Sequence, residues 1–289
     1  MKEFERLFVY PESYLEFEQR FHPDELYDRF RDKFLVKIKM MQKKPYVITP
    51  PNGLLIYGPP CNGKTLMAVQ FAQQTNLPYA IISLHDVLDE HSSHTHARFF
   101  SVFDYALTKA PCVLILDNVE TIIPSRDKMK NNPEFIDVMA NLSTIRDCGK
   151  KGVFVFATTS KPSDLDPVLG MSGYLNELFY AAYPDDKQRL DIIKMLLGNK
   201  TSIEDLNIEE LVKESDKFVI GDLIALIDEV AVKAAVANQP LSNDIIDEVL
   251  KDFRKPLASY EKKKYDEIHA ILETKNKSTA KKTIGFQIR

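Results

Sequence analysis

The chain of 289 residues carries 38 Lys and Arg against 42 Asp and Glu, and its net charge of −4 argues against a protein that binds nucleic acid mainly through charge. Its three scattered cysteines, Cys61, Cys112 and Cys148, favour a reducing compartment over a disulfide framework. No apolar run reaches the length of a membrane span and the chain opens with acidic residues, so we expect a cytoplasmic protein without direct membrane insertion.

Residues 1–50 predict an N-terminal extension that is rich in aromatic and charged side chains. Apolar residues recur at helical spacing after Pro23, at Leu26, Phe30, Phe34, Ile38 and Met41. With acidic residues at its start and lysines at its end, this pattern predicts an amphipathic helix. We expect the helix to pack against the rest of the protein; partner binding by the aromatic segment Phe4 to Phe21 is the alternative.

The next stretch predicts a phosphate-binding loop. The apolar run Leu54 to Tyr57 predicts a strand, the pattern from Leu66 onward predicts a helix, and the sequence GPPCNGKT lies between them. This is the P-loop pattern G-x-x-x-x-G-K-[ST] in its full context of strand, loop and helix. Its backbone N–H groups and the helix N-terminus are expected to face phosphate. The candidate binding residues are Gly58, Pro59, Pro60, Cys61, Asn62, Gly63, Lys64, Thr65 and Leu66.

Two of these residues, together with one further residue, are expected to hold the phosphates and Mg²⁺. Lys64 is expected to reach the β- and γ-phosphates, and Thr65 is expected to hold Mg²⁺. The apolar run 112–116 ends in a carboxylate, Asp117. Because ligands gather at the carboxyl ends of buried parallel strands, we expect Asp117 to bind Mg²⁺ through water beside Thr65.

Strand and helix patterns alternate from residue 53 onward, which predicts an α/β domain at 51–183 with a five-stranded parallel sheet flanked by helices. After the first strand, the others are predicted at 79–83, 112–116, 153–160 and 178–181. Helices are predicted at 96–109 and 134–147.

Beyond Pro184 the patterns become helical, which predicts a small helical lid domain at 184–258. Its helices are predicted at 185–197, 205–215, 221–236 and 242–253. A last unit, 259–289, combines a helix at 260–273 with a basic tail, which we expect to be disordered or to dock on an acidic surface.

Four motifs in this order, GPPCNGKT, PCVLILD, ATTSKPSDLDP and AYPDDKQRLDII, resemble those of the AAA family of P-loop ATPases, in the branch that includes FtsH, Cdc48, NSF and katanin. The resemblance runs from about Pro51 to about Phe253. It implies an α/β domain with a helical lid that binds ATP and Mg²⁺. It also implies a ring, commonly hexameric, of the chain itself or of related subunits, whose pore loops grip a protein substrate.

The resemblance also assigns individual residues. Gly58, Gly63, Lys64 and Thr65 match the Walker A motif, and Asp117 matches the Walker B aspartate. Ser160 falls where the family's sensor-1 residue, normally Asn, contacts the γ-phosphate or the attacking water. Gly221 lies in a stretch similar to the sensor-2 segment. The Ile-Gly-Gly sequence that usually precedes the domain is missing, so the resemblance does not locate adenine recognition.

Departures from the family pattern concern catalysis. Asn118 replaces the glutamate that polarises the attacking water, and an amide can orient water but cannot accept its proton. Glu120 is a candidate substitute. If the strand continued past Asp117, Glu120 would lie on the same side as Asn118, roughly 6–7 Å away.

The resemblance also implies arginines that reach the neighbour's γ-phosphate, and here Met171 and Tyr174 stand in their place. Arg126 or Arg146 could substitute, although solvated surface cations are the simpler interpretation. The pore-loop position falls at His91-Ser92-Ser93, without the aromatic residue that grips a peptide. Its histidines fit a solvated loop better than a metal site.

These observations predict an ATP-binding chaperone-like or protein-remodelling machine with slow or partner-dependent hydrolysis. The alternative is a catalytically inactive ATP-binding subunit that regulates or builds a mixed ring. A nucleic-acid motor or clamp loader shares the P-loop, but outside the tail the sequence has few basic clusters.

Overall fold

The computed structural model describes residues 2–13, 21–43, 51–88, 96–129, 135–171, 173–175, 177–198, 206–253 and 262–272. Its strands are Phe8–Val9 (β1), Gly53–Tyr57 (β2), Tyr79–Ile82 (β3), Cys112–Leu116 (β4), Val153–Thr159 (β5) and Glu177–Tyr180 (β6). They form one sheet in the order β1-β3-β4-β5-β2-β6.

Strands β2 to β6 are parallel, which confirms the five-stranded parallel sheet predicted from the sequence. Every residue of β2, β4 and β5 is buried, as expected of strands covered on both faces. The N-terminal extension adds β1, which was not predicted. It pairs antiparallel with β3, with Phe8 opposite Ala80, and two residues are too short to give an alternating pattern.

The helices alternate with the strands and then follow them. They are Lys2–Glu5, Asp24–Phe30, Arg31–Leu35 (a π-helical turn), Val36–Lys43, Lys64–Gln74, Leu84–Val87, His96–Thr108, Arg126–Met129, Phe135–Ile145, Asp186–Leu197, Ile208–Glu214, Ile220–Ala237, Asn243–Asp252 and 262–272. Short 3₁₀ turns lie at Pro11–Ser13, Val119–Thr121, Cys148–Lys151, Pro162–Asp164 and Pro167–Gly170.

The helix at 24–43 packs on the P-loop helix Lys64–Gln74 and on the sheet, which confirms its predicted packing role. Phe30 stacks on Phe71, with ring centroids 4.3 Å apart and planes inclined by 3°. Phe34 meets Phe156 of β5 edge to face at 5.2 Å. These contacts fix the P-loop helix against the sheet.

The opposite face of the sheet is covered by the helices His96–Thr108 and Phe135–Ile145, which contribute to a second apolar core. The helices that the structure describes between Asp186 and Asp252 enclose a third core, which includes Ile193, Leu211 and Leu223. This arrangement matches the predicted helical lid. Among the described residues, no helix is both long enough and apolar enough to cross a membrane.

Candidate nucleotide-binding site

A cavity of about 270 Å³ lies at the carboxyl end of β2. It is lined by the consecutive residues Pro60 to Leu66 together with Asn118 and Ser160. The fold therefore brings together residues that lie up to 100 positions apart in the sequence. Of the predicted site residues, five do not line this cavity: Gly58, Pro59, Asp117, Glu120 and Gly221.

The P-loop owes its shape to a few local features. Gly63, at the N-terminus of the P-loop helix, has φ 68°, a left-handed conformation that glycine adopts without steric cost. Asn62 is fully buried, and its amide group donates to the carbonyl oxygens of Ala181 and Ala182 at 2.9 and 2.7 Å. Asn62 therefore anchors the loop to the chain that follows β6.

Lys64 lines the cavity, although only 6% of its surface is exposed to solvent. Its ammonium group donates a hydrogen bond to the carbonyl oxygen of Pro59 at 2.6 Å. Burial lowers the pKa of Lys64 to about 8, and the charges of Glu120, Asp117 and Cys61 oppose this shift. Lys64 is therefore still mostly charged at pH 7 but loses its proton more readily than an exposed lysine, and a bound polyanion would raise its pKa.

Thr65 and Asp117, the two residues predicted to hold Mg²⁺, are in direct contact. The Thr65 hydroxyl donates to Oδ1 of Asp117 at 2.6 Å. Hydroxyl and carboxylate oxygens are hard ligands, and Mg²⁺ in nucleotide sites uses one or two protein oxygens together with waters and phosphates. Thr65 and Asp117 supply oxygen atoms of this kind, so the residues present fit a magnesium ion.

Asn118 lines the cavity. The prediction that Glu120 lies on the same side of a continuing strand as Asn118 is wrong. Strand β4 ends at Leu116, Asn118 has φ 51°, and Glu120 lies in the 3₁₀ turn Val119–Thr121. Asn118 and Glu120 are therefore not alternate residues of one strand. Glu120 still acts on the site, because its charge opposes the lowering of the Lys64 pKa. Its Oε2 atom is buried and has no hydrogen-bond partner within the part of the chain that the structure describes.

Ser160 lines the cavity directly after β5, and the helix at 262–272 holds its backbone. The Tyr265 hydroxyl donates to the carbonyl oxygen of Ser160. In the same helix, His269 Nδ1 shares a hydrogen bond of 2.6 Å with the hydroxyl of Tyr57, the last residue of β2. The C-terminal helix therefore contacts two of the strand ends that carry the site.

The same helix reaches a third strand end, that of β6. Tyr180 donates from its hydroxyl to Asp266 Oδ1 at 3.1 Å and stacks on His269 with centroids 4.5 Å apart. Burial, reinforced by Asp266, raises the pKa of Tyr180. The tyrosine therefore remains a neutral hydrogen-bond donor.

Gly221 connects the lid to the P-loop. Its backbone N–H donates to the carbonyl oxygen of Cys61 at 2.9 Å, and a Cβ atom at this position would lie 2.9 Å from the Cys61 Cβ. The neighbouring Ile220 N–H donates to Oδ1 of Asn62 at 3.2 Å. The N-terminus of the lid helix Ile220–Ala237 thus lies directly on the P-loop.

Two residues of the site were not recognised in the sequence. His22 Nε2 lies 2.9 Å from the carbonyl oxygen of Asn62 and therefore donates to it. Burial lowers the pKa of His22 to about 4, so the ring is neutral.

The second residue is Thr158, which is 1% exposed and donates from its hydroxyl to Oδ1 of Asp117 at 2.7 Å. The run of hydroxyl residues at the end of β5 was a signal for Thr158, whereas His22 carried none.

The candidate arginines differ in their surroundings. Arg126 Nε lies 2.5 Å from Oδ2 of Asp166, a carboxylate that is 1% exposed, so this arginine is held within its own chain. Arg146 is 67% exposed on its side chain. Met171, at the position of the missing arginine, is 55% exposed.

Two sequence predictions lie outside the described residues: the histidine loop from His91 to His94 with its pore-loop position, and the basic tail after residue 272. Within the described ranges, no group of three or more His, Cys, Asp and Glu side chains could hold a metal ion.

Comparison with known proteins agrees with this geometry. A family model described as "ATPase family associated with various cellular activities (AAA)" matches residues 54–182. The ATPase family gene 2 protein of Schizosaccharomyces pombe is 30% identical over 203 residues, which cover 70% of the chain and 25% of that protein. A cell division cycle protein 48 homolog of Archaeoglobus fulgidus is 28% identical over 239 residues, which cover 76% of the chain and 33% of that protein. The chain therefore spans a quarter to a third of the length of these relatives.

Proposed function

We propose that this chain, which belongs through residues 54–182 to the AAA family of ATPases, binds ATP with Mg²⁺ at the end of β2 and hydrolyses it slowly or with a partner's help. One observation carries the proposal. The P-loop residues Pro60 to Leu66 line a single cavity with Ser160, and Thr65 of this lining donates a hydrogen bond to Asp117 beside it.

Phosphoryl transfer depends mainly on positioning and on neutralisation of charge. The P-loop N–H groups and the N-terminus of the P-loop helix would hold the phosphates, and Lys64 would leave Pro59 to pair with them. Mg²⁺ held by Thr65 and Asp117 would supply the remaining neutralisation of the β- and γ-phosphates. Ser160 would contact the γ-phosphate or the attacking water.

In AAA ATPases one glutamate polarises the attacking water; here Asn118 and Glu120 would share that role. The Asn118 amide lines the cavity and can orient water by hydrogen bonds. The buried, unpartnered Oε2 of Glu120 is an acceptor near Lys64 that could take up the proton. We expect slow turnover because Glu120, the base, would not contact the attacking water directly.

Assembly and substrate form the finer part of the proposal. By resemblance to its family, the chain would join copies of itself or related AAA subunits in a ring, commonly hexameric, that remodels a protein substrate in the cytoplasm. We expect no role in nucleic-acid binding. Arg146 is the more exposed of the two candidate arginines, so it is better placed than Arg126 to reach a neighbour.

A second candidate function is a regulatory or structural subunit that binds ATP without turnover in a mixed ring. Asn118 in place of the glutamate and exposed Met171 in place of an arginine both favour it. In such a ring the partner subunits would supply the missing arginine, which is worth about 10³–10⁵ in rate.

Phosphate release by the purified protein distinguishes the two. Multiple turnovers that disappear in Lys64→Ala would support the ATPase, whereas ATP binding without turnover would support the regulatory subunit. The mass of the protein with and without ATP, measured on the same sample, tests assembly. Salt-dependent binding to DNA or RNA would favour a nucleic-acid motor instead.

A further inference from the structure

Thr158 lies within β5, yet both hydrogen-bonding functions of its hydroxyl are used by the site. The hydroxyl donates to Oδ1 of Asp117 at 2.7 Å and accepts the backbone N–H of Asn118 at 3.1 Å. The residue is 1% exposed, so neither bond competes with bulk water. Thr158 therefore contacts the Mg²⁺ ligand and the water-orienting candidate at once.

The strand register explains why this position makes the contact. The pairing of β4 with β5 ends at Leu116 and Ala157, so the next residues, Asp117 and Thr158, lie side by side. Thr159 follows on the opposite face of the strand. Its hydroxyl accepts the backbone N–H of Lys161 at 2.9 Å. Two adjacent threonines thus bond to different groups, and of the two it is Thr158 that bonds to Asp117.

We infer that Thr158 is a positioning residue that sets the orientation of Asp117 for Mg²⁺; this inference rests on the proposed function. Oδ1 of Asp117 accepts both the Thr158 and the Thr65 hydroxyls, the latter at 2.6 Å. Thr65 can keep its proton on Asp117 and offer its oxygen lone pairs to the metal. The other carboxylate oxygen, Oδ2, accepts a hydrogen bond from the Asn118 side-chain amide at 3.2 Å and would be the one available to a metal-bound water.

The affinity for Mg²⁺ should depend on the orientation of the Asp117 carboxylate, because Mg²⁺ demands nearly ideal octahedral geometry. Groups that hydrogen-bond to a metal-ligating side chain typically change metal affinity by about 10–100-fold when they are removed. Thr158 acts one hydrogen bond further from the metal, because Asp117 would bind Mg²⁺ through water, so we expect an effect at the lower end of that range. Its second bond, from the Asn118 N–H, holds the left-handed turn at φ 51° and so places the Asn118 amide in the cavity.

The test compares ATP binding by calorimetry in EDTA and in Mg²⁺. Thr158→Val removes the hydroxyl at nearly constant shape. We expect it to bind ATP in EDTA as the wild type does and to lose at least about tenfold of the affinity gained with Mg²⁺. Thr158→Ser, which keeps the hydroxyl, should restore that gain. Thr159→Val is the matched control on the same strand and should behave as the wild type.

Each outcome decides one question. A folded Thr158→Val variant that gains as much affinity from Mg²⁺ as the wild type overturns the inference, and so does an equal loss in Thr159→Val. If Thr158→Val does not fold, Thr158→Ala carries the same test. A wild-type protein that binds no ATP in either buffer refutes the proposed function itself, which separates the two failures.

Discussion

Lys64 donates a hydrogen bond from its ammonium group to the carbonyl oxygen of Pro59, at 2.6 Å, within the P-loop. The ammonium group is thus held by the backbone of its own loop. Burial lowers the pKa of this lysine to about 8, although Glu120 and Asp117 oppose the shift. Lys64 is therefore mostly charged at pH 7, and a triphosphate bound at the P-loop would replace this bond by one to phosphate and raise the pKa of Lys64.

This relationship predicts a pH dependence of ATP binding. A bound triphosphate stabilises the ammonium form, so the pKa of Lys64 should rise above 8 on binding. Affinity should be nearly constant below pH 8 and should fall by up to about tenfold per pH unit above it, until the pKa of the bound state is reached. Calorimetry at pH 7 to 9.5 measures this. Proton uptake at pH 8.5 that is absent at pH 6.5 confirms it, whereas equal affinities across the range would contradict it.

His22 predicts acid sensitivity of the fold. Burial lowers its pKa to about 4 from the usual 6.5, so the unfolded chain binds this proton first as the pH falls. The stabilisation is complete above pH 6.5 and is lost as the pH falls towards 4. At pH 5 the loss should be about 2 kcal/mol relative to pH 7.

Urea unfolding at pH 7 and pH 5 tests this expectation, with His22→Gln as the comparison. Glutamine can still donate to Asn62 but does not titrate, so the variant should lose about 2 kcal/mol less than the wild type between the two pH values. Equal losses in both proteins would show that other groups cause the acid sensitivity.

Glu120 is predicted to contribute to turnover. Its charge is the largest one opposing the pKa shift of Lys64, and its Oε2 atom has no partner. Replacing it by Glu120→Gln should lower phosphate release by about tenfold or more, since proton transfer by a positioned group is worth about 10²–10⁴ in rate. Binding of ATP, measured in the same variant, should fall much less. An unchanged rate of turnover would retire this role.

The C-terminal helix is predicted to be held on the strand ends by its side chains. Tyr265→Phe removes the hydroxyl that donates to Ser160 and should cost about 1 kcal/mol of local stability. Backbone amides of 262–272 should then exchange hydrogen faster. Glu267→Gln, an exposed substitution on the same helix, is the control. Equal exchange rates in Tyr265→Phe and the wild type would show that the helix is held by other contacts.

The parallel sheet and the P-loop could be predicted because their signals are local. Apolar runs such as Leu54 to Tyr57 and Cys112 to Leu116 are continuous, and the P-loop follows the first of them directly. The strand β1 could not be predicted, because two residues carry no period. Its pairing with β3 depends on packing between segments about 70 residues apart.

The contacts around the site depend on geometry that no short pattern encodes. His22 lies 40 residues before Asn62, and Tyr265 lies 105 residues after Ser160. Glu120 was misplaced because the sequence suggested a continuing strand, whereas Asn118 turns into a left-handed conformation. Asn is one of the few residues that adopt this conformation at low cost, so Asn118 suits the turn that ends β4.

The central claim is that a nucleoside triphosphate binds at the P-loop, and calorimetry with ATP and Mg²⁺ tests it most directly. We predict saturable binding to the wild-type chain and binding at least about tenfold weaker in Lys64→Ala, because the variant loses the buried cation. No heat of binding with the folded wild-type protein, or equal affinity in Lys64→Ala, would contradict the claim.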